Sequence, residues 1–216
     1  MKDRFDLIVF DWDGTLINSI DWIASCLQRA AECCGCSVPD NQAAKNVIGL
    51  SIEQATYTLF PKADADLQQQ LIRAYQEFYK AQEIGREHFF EGVYDMLLSL
   101  KQAGYFLAVA TGKNRSALEQ VLKTTATQDL FDITRCADET ASKPAPKMLL
   151  EILEYCHIHS DRALMVGDTI FDLQMAQRAK MQAIAVACGA HPEQVLREYQ
   201  PLLCLQQPAQ LLNLLI

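Results

Sequence analysis

The chain has 216 residues, half of them hydrophobic and 21% charged, which suffices to bury a sizeable core in one domain, with or without an insertion. Nineteen Lys and Arg against 27 Asp and Glu leave a formal charge of −8 with no basic run. Such a surface repels phosphate backbones and argues against nucleic acid as a partner. No apolar stretch is long enough for a bilayer, which excludes a membrane-spanning role, and residues 1–10 lack the features of a secretory signal, so the expected location is cytoplasmic.

In chain order, residues 5–10 form a short apolar run without alternation, the pattern of a strand buried on both faces of a parallel sheet. From 17 to 86 only helices are expected. Trp22, Ile23, Cys26, Leu27, Ala30 and Ala31 line one face of a helix over 21–34 that Gly35 would cap. Ser51 and Gln54 make a capping box for a second helix ending before Pro61, and Leu67, Leu71, Ala74, Tyr75 and Phe78 mark a third.

Strands and helices then alternate. Val93, Met96, Leu97 and Leu100 repeat at helical spacing up to Gly104, a strand is expected at 106–110, and Met148, Leu149, Ile152 and Leu153 repeat after Pro146. Strands at 163–166 and 183–187 follow, with a short edge at 203–205. This order predicts an α/β fold: a doubly wound, Rossmann-like parallel sheet with helices on both faces. The core is expected over 1–16 and 87–216, with an all-helical cap domain over 17–86 inserted after the first strand as a lid over the sheet's C-terminal edge.

Eight cysteines invite a disulfide or metal reading, and Cys33 and Cys36 have C-x-x-C spacing, with Cys26 and Cys34 nearby. A redox pair needs a helix N-terminus to lower its thiol pKa, whereas these lie at a helix end. No second pair completes a zinc site, and Cys156, His157 and His159 are too generic to supply one. The cysteines are expected to be free.

Ligands of such sheets bind outside the carboxyl ends of the strands. After the first strand come Asp11, Trp12, Asp13, Gly14 and Thr15; after the second, Thr111, Gly112, Lys113 and Asn114. After the third come Gly167, Asp168, Thr169, Ile170, Phe171 and Asp172, and Ser142-Lys143-Pro144 lies between those two groups. Each alone would pass for a cap or turn. Four carboxylates, a hydroxyl and a lysine on one rim are hard to explain as caps.

The set D-W-D-G-T-L, Thr111, Lys143 in S-K-P-A-P and G-D-T-I-F-D resembles the haloacid dehalogenase superfamily of phosphatases, in its phosphoglycolate phosphatase and β-phosphoglucomutase branch. The resemblance spans the whole chain and implies a small phosphorylated metabolite as substrate. It implies Asp11 as the nucleophile that becomes an aspartyl-phosphate, and Asp13 as acid and then base, protonated through crowding against other carboxylates. It implies Mg²⁺ held by Asp11, the backbone carbonyl of Asp13, and Asp168, with Asp172 orienting a metal-bound water or pairing with Lys143. Lys143, the Thr111 hydroxyl and the Gly112 N–H would bind the phosphoryl group. Lys113 is a further candidate for a substrate anion, while Arg115 is expected to begin a surface helix.

Asp13 favours phosphate over halide, because an alkyl-ester mechanism needs no acid there. Gly14 would permit the turn, and Thr15 would stabilise it. Many relatives carry Asn or Ser where this chain has Gly112. A phosphomutase would retain the same residues but needs a cap residue to handle a sugar hydroxyl proton, and His88 near the hinge is the sole weak candidate, so hydrolysis is expected. A non-catalytic binding module would have no need for Asp13.

Overall fold

The computed structural model describes residues 3–216. Six parallel strands make one sheet in the order β3-β2-β1-β4-β5-β6. They are β1 (Leu7–Phe10), β2 (Phe106–Thr111), β3 (Ile133–Cys136), β4 (Ala163–Gly167), β5 (Gln182–Val186) and β6 (Leu203–Leu205). The sheet grows outward from β1 in both directions, and the crevice this leaves lies at the carboxyl ends of β1, β2 and β4.

The helices are α1 (Ile20–Cys33), α2 (Asn41–Lys45), α3 (Ile52–Leu59), α4 (Ala65–Lys80), α5 (Val93–Gln102), α6 (Arg115–Thr125), α7 (Lys147–Cys156), α8 (Ile170–Arg178), α9 (Glu193–Arg197) and α10 (Leu212–Leu215). Alternate residues of β1 explain the double burial: Ile8 and Phe10 join Met96, Leu97, Leu100 and Leu118 on one face. Leu7 and Val9 join Met148, Leu149, Ile152 and Met175 on the other. The expected strands and helices are present, with ends shifted by a few residues. β3 is an addition: it is four residues long, half-buried Thr134 and Arg135 interrupt its apolar pattern, and it lies at the sheet edge where such residues are tolerated.

The four helices α1–α4 have a small core of their own, in which Ile23, Ala24, Leu27, Ala44, Val47 and Ala55 are buried. α2, only five residues long, is set by Asp40, whose carboxylate accepts from the Ala43 N–H. Ser51 caps α3, accepting from Gln54 N–H at 3.3 Å, but the reciprocal half of the expected capping box is absent, because the Ser51 N–H donates to the Ser142 hydroxyl. The chain leaves and re-enters the sheet domain side by side: Ile17 bridges Phe89, and the Phe90 N–H donates to the Leu16 carbonyl. No helix among the described residues is long and apolar enough to cross a membrane. All eight cysteines are free, and α1 ends at Cys33, so its dipole does not favour a thiolate there.

Candidate active site

The Asp11 N–H donates to the Val166 carbonyl at 2.9 Å, extending the pairing of β1 with β4 by one residue and bringing Asp11 beside the end of β4. Trp12 turns into the core against Phe89 and Phe131. Gly14 then has φ +78°, and a Cβ there would lie 2.3 Å from Asp168 Oδ2, so both the turn and the close approach require glycine. Thr15 does more than stabilise this turn: its hydroxyl donates to Asp168 Oδ1 at 2.8 Å. The Ala190 N–H holds Oδ2 at 2.7 Å, which fixes Asp168 from both sides.

Thr169 caps α8, and Asp172 reciprocates through one oxygen: its Oδ2 accepts from the Thr169 N–H at 3.1 Å and hydroxyl at 2.7 Å. Its other oxygen, Oδ1, lies 2.7 Å from Lys143 Nζ, which also lies 2.7 Å from Asp11 Oδ1. Of the two expectations for Asp172, the structure has the lysine pair. All four groups are buried.

Asp11, Asp168 and Asp172 bring carboxylate oxygens within 4.8 Å of one another. Burial, then Asp172, pushes Asp168 up to about 7, against the opposing pull of the Ala190 N–H, Thr15 and Lys143. Burial also raises Asp11 well above the ordinary range, with Lys143 opposing and Asp172 and Asp168 reinforcing. Burial works against the charge of Lys143, but Asp11 and Asp172 outweigh it and raise its pKa. Three carboxylates around one ammonium are a buried surplus of negative charge, and the buried Asp11 Oδ2 has no hydrogen-bond partner. A divalent cation fits both observations. The donors are hard oxygens without imidazole or thiolate, which suits Mg²⁺ better than Zn²⁺.

Asp13 faces a different neighbourhood. The strand has ended at Phe10, so the alternation that would keep Asp11 and Asp13 together no longer applies. Its Oδ1 accepts from the Ser19 hydroxyl at 2.6 Å, and its Oδ2 pairs with Lys113 Nζ at 2.8 Å. Crowding against carboxylates therefore does not describe Asp13: its charged partner is a lysine. Lys113, whose side chain is 6% exposed, also donates to the Tyr79 hydroxyl of α4. Burial opposes its charge, but Asp13 and Tyr79 raise its pKa, while burial, against Lys113, pushes the Tyr79 phenol up to about 12.

Thr111 ends β2, and its hydroxyl oxygen accepts from the Lys113 N–H at 3.2 Å, leaving its own O–H to donate. Gly112 is explained by the helices above it. A Cβ there would lie 2.5 Å from the Leu50 carbonyl oxygen and 2.7 Å from that of Gly49. Close by, the Ser51 N–H donates to the Ser142 hydroxyl at 2.8 Å, a second tie between α3 and the sheet domain.

Asp11, Asp13, Thr111, Gly112, Lys113, Lys143, Asp168 and Asp172 all meet at this rim. Arg115 does not: it is bound by Glu139 and Thr134, as its place on α6 predicts. Asn114 caps the same helix, accepting from Ala117 N–H at 2.9 Å. His88 is held near the hinge, close to Gln82 and Glu87. The sequence reading missed Ser19, Tyr79 and Ala190. Ser19 carried the weak signal of a polar residue just before a helix. Tyr79 carried none, since it looks like one more apolar position of α4.

A parallel sheet with this carboxylate, lysine and hydroxyl rim under a helical cover defines an α/β enzyme with a divalent-cation site. The sequence pattern of the haloacid dehalogenase-like hydrolase family matches residues 8–186. Probable phosphatase IndB of Dickeya dadantii is 33% identical over 200 residues, 90% of this chain and 86% of its own length. Pyrophosphatase PpaX of Bacillus mycoides is 28% identical over 213 residues, 98% of this chain and 97% of its own. A haloacid dehalogenase-like family hydrolase from Streptococcus pneumoniae superposes with a TM-score of 0.83 over 98% of each chain at 23% identity, a likeness of fold. The chain belongs to the haloacid dehalogenase-like hydrolases.

Proposed function

We propose that the protein is a Mg²⁺-dependent phosphatase that hydrolyses a small organic phosphate monoester through a phosphorylated Asp11. The observation that carries this reading is the buried Asp11–Lys143–Asp172 chain, with the second oxygen of Asp11 unpartnered. A carboxylate held on one oxygen by an ammonium keeps the other for bonding to phosphorus or metal. The names of two relatives, a phosphatase and a pyrophosphatase, agree with phosphate as the group transferred.

Asp11 forms a bond to phosphorus while the bond to the alcohol oxygen breaks, its electron pair leaving on that oxygen. Lys143, the Thr111 hydroxyl and the Gly112 N–H hold the phosphoryl oxygens. Once substrate has separated it from Lys113, Asp13 takes up a proton from solvent and gives it to the departing oxygen from its position beside Ser19. It then takes a proton from water as that water displaces Asp11 from phosphorus, which releases inorganic phosphate and restores the carboxylate. Asp11, the Asp13 carbonyl and Asp168 would hold Mg²⁺, which would supply positive charge between the two anions. Residues 17–86 act as a cap that excludes water from this chemistry.

Release of phosphate from 4-nitrophenyl phosphate with Mg²⁺, its loss on chelation, and an added phosphoryl mass on the acid-quenched protein are expected. Equal turnover with and without the metal, or no modified Asp11 in quenched peptides, would remove this mechanism.

A further inference from the structure

From the contacts around Asp13 we infer that Tyr79 of α4 is a positioning residue of the reaction: it keeps hold of the Lys113 ammonium while Asp13 turns to the substrate. This rests on the phosphatase reading. Asp11, Asp13 and Thr111 form the floor of a cavity of about 190 Å³ between the sheet domain and α1–α4, and Lys113 and Tyr79 line it where the two meet.

Both oxygens of Asp13 are engaged. Oδ1 accepts from the Ser19 hydroxyl at 2.6 Å, and Oδ2 lies 2.8 Å from Lys113 Nζ. With Oδ1 held by Ser19, Oδ2 is the oxygen left to carry a proton to the departing alcohol. It cannot do so while the ammonium occupies that place, so Lys113 has to give way.

Its room to move is small. The Lys113 N–H donates to the Thr111 hydroxyl oxygen at 3.2 Å, and its carbonyl accepts from the Ala137 N–H at 3.2 Å, so the backbone is tied on both sides. The side chain is buried, and an ammonium released there without another acceptor would bear a large desolvation cost. Tyr79 meets that need in two ways. Its hydroxyl oxygen accepts from Nζ, and the same ammonium lies 4.5 Å from the centre of its ring, within cation–π range. The phenol, pushed up to about 12 by burial against the pull of Lys113, stays neutral and offers a lone pair without a second charge. Tyr75, one turn earlier, stacks on that ring at 5.8 Å and fixes it. Because Tyr79 lies on α4 and Lys113 follows β2, this support exists only with the helices seated on the sheet domain. The cap thereby serves the proton-transfer step without carrying a reacting group.

Tyr79→Phe tests this, since it removes the acceptor and keeps the ring. In single turnover with Mg²⁺, phosphorylation by 2-phenylethyl phosphate, whose alcohol needs an acid, should slow about tenfold, and that by 4-nitrophenyl phosphate less than about twofold. The concentrations for half-maximal rate should stay within about twofold. A residue that only seats the cap would weaken binding and slow both esters alike; equal losses, or none, would overturn the inference. A second readout does not depend on turnover. In protein carrying ¹⁵N-lysine, saturation with Mg²⁺ and the difluoromethylene phosphonate analogue of the phenylethyl ester should shift the Lys113 ammonium resonance and leave it sharp. In Tyr79→Phe the resonance should be sharp without the analogue and broaden beyond detection with it, while that of the buried Lys143 persists. A Lys113 resonance unmoved by the analogue, or one that stays sharp in Tyr79→Phe, would also overturn the inference. If neither ester is hydrolysed while the resonances behave as expected, the phosphatase reading fails and Tyr79 remains the residue that holds Lys113.

Discussion

The floor and the roof of the cavity are built on opposite principles. On the floor, polar groups hold one another at hydrogen-bond distance: Thr15 and Ala190 on Asp168, Thr169 on Asp172, and Lys143 between Asp172 and Asp11. On the roof, Leu27, Val47, Ile48 and Ile52 offer hydrocarbon and no fixed charge. A floor of this kind is rigid and indifferent to what carries the phosphate. A roof of this kind discriminates by shape and polarity and contributes nothing to bond breaking. The two meet where Lys113 and Asp13 reach Ser19 and Tyr79, and where Gly112 touches the backbone at Gly49 and Leu50.

The strongest way to break the floor is Asp11→Asn, which keeps the shape and removes the proposed nucleophile. Turnover should fall by about 10⁴-fold or more, read as phosphate release under saturating substrate. Near-normal rates in this variant would mean that Asp11 binds but does not attack.

Asp13→Asn acts at the junction. It should cost alkyl esters about 10²–10⁴-fold and esters of acidic phenols much less in the burst phase, because a good leaving group needs no acid. Mg²⁺ affinity should stay within a fewfold, since Asp13 is assigned to the metal through its backbone carbonyl. An equal burst loss for both ester types, with weakened metal binding, would instead make its side chain a ligand.

Gly112→Ala tests whether floor and roof must touch. Its methyl group would meet two backbone carbonyls, which cannot rotate away as a side chain would. The helices should seat about an ångström higher, and kcat/KM should drop by roughly 10–100-fold. Thermal stability should change little, because each part keeps its own core. Full activity in this variant would show that the cap closes with room to spare.

The smallest effect is on stability and concerns the surplus charge. In metal-free protein the folded state holds a proton on Asp168 up to about 7, against the ordinary 3.8. At this site the folded form thus binds a proton more tightly, so the contribution of Asp168 to stability is full below about 4 and is lost as pH rises to about 7. In EDTA the melting temperature should fall by about 5–10 °C between pH 5 and pH 8. Mg²⁺ should raise it more at pH 8 than at pH 5. A melting temperature that climbs across that window without metal would contradict the assigned charge balance.

Much of this was legible beforehand, for identifiable reasons. The strands at 106–111 and 163–167 are apolar on both faces, which few structures other than a covered parallel sheet produce. Asp11 and Asp168 follow directly on strand ends and Thr111 closes one, so the parallel sheet alone gathers them. β3 escaped because Thr134 and Arg135 obscure a strand of four residues. The surroundings of Asp13 were misjudged because two residues past a strand end, side-chain direction depends on the turn.

The amino-acid sequence by itself determined the sheet, the helices between its first two strands and the residues gathered at the rim, since each depends on periodicity or on residues within a short span. Tertiary structure decided the rest. Tyr79 and Lys113 are 34 residues apart and on different parts of the fold, and nothing in their local patterns says that they touch. Gly112 looked like a missing side chain until the carbonyls of Gly49 and Leu50 were found against it. Contacts of this kind depend on how two packed bodies are seated on one another, and hydrophobic periodicity specifies which face is buried but not which residue of the partner it meets.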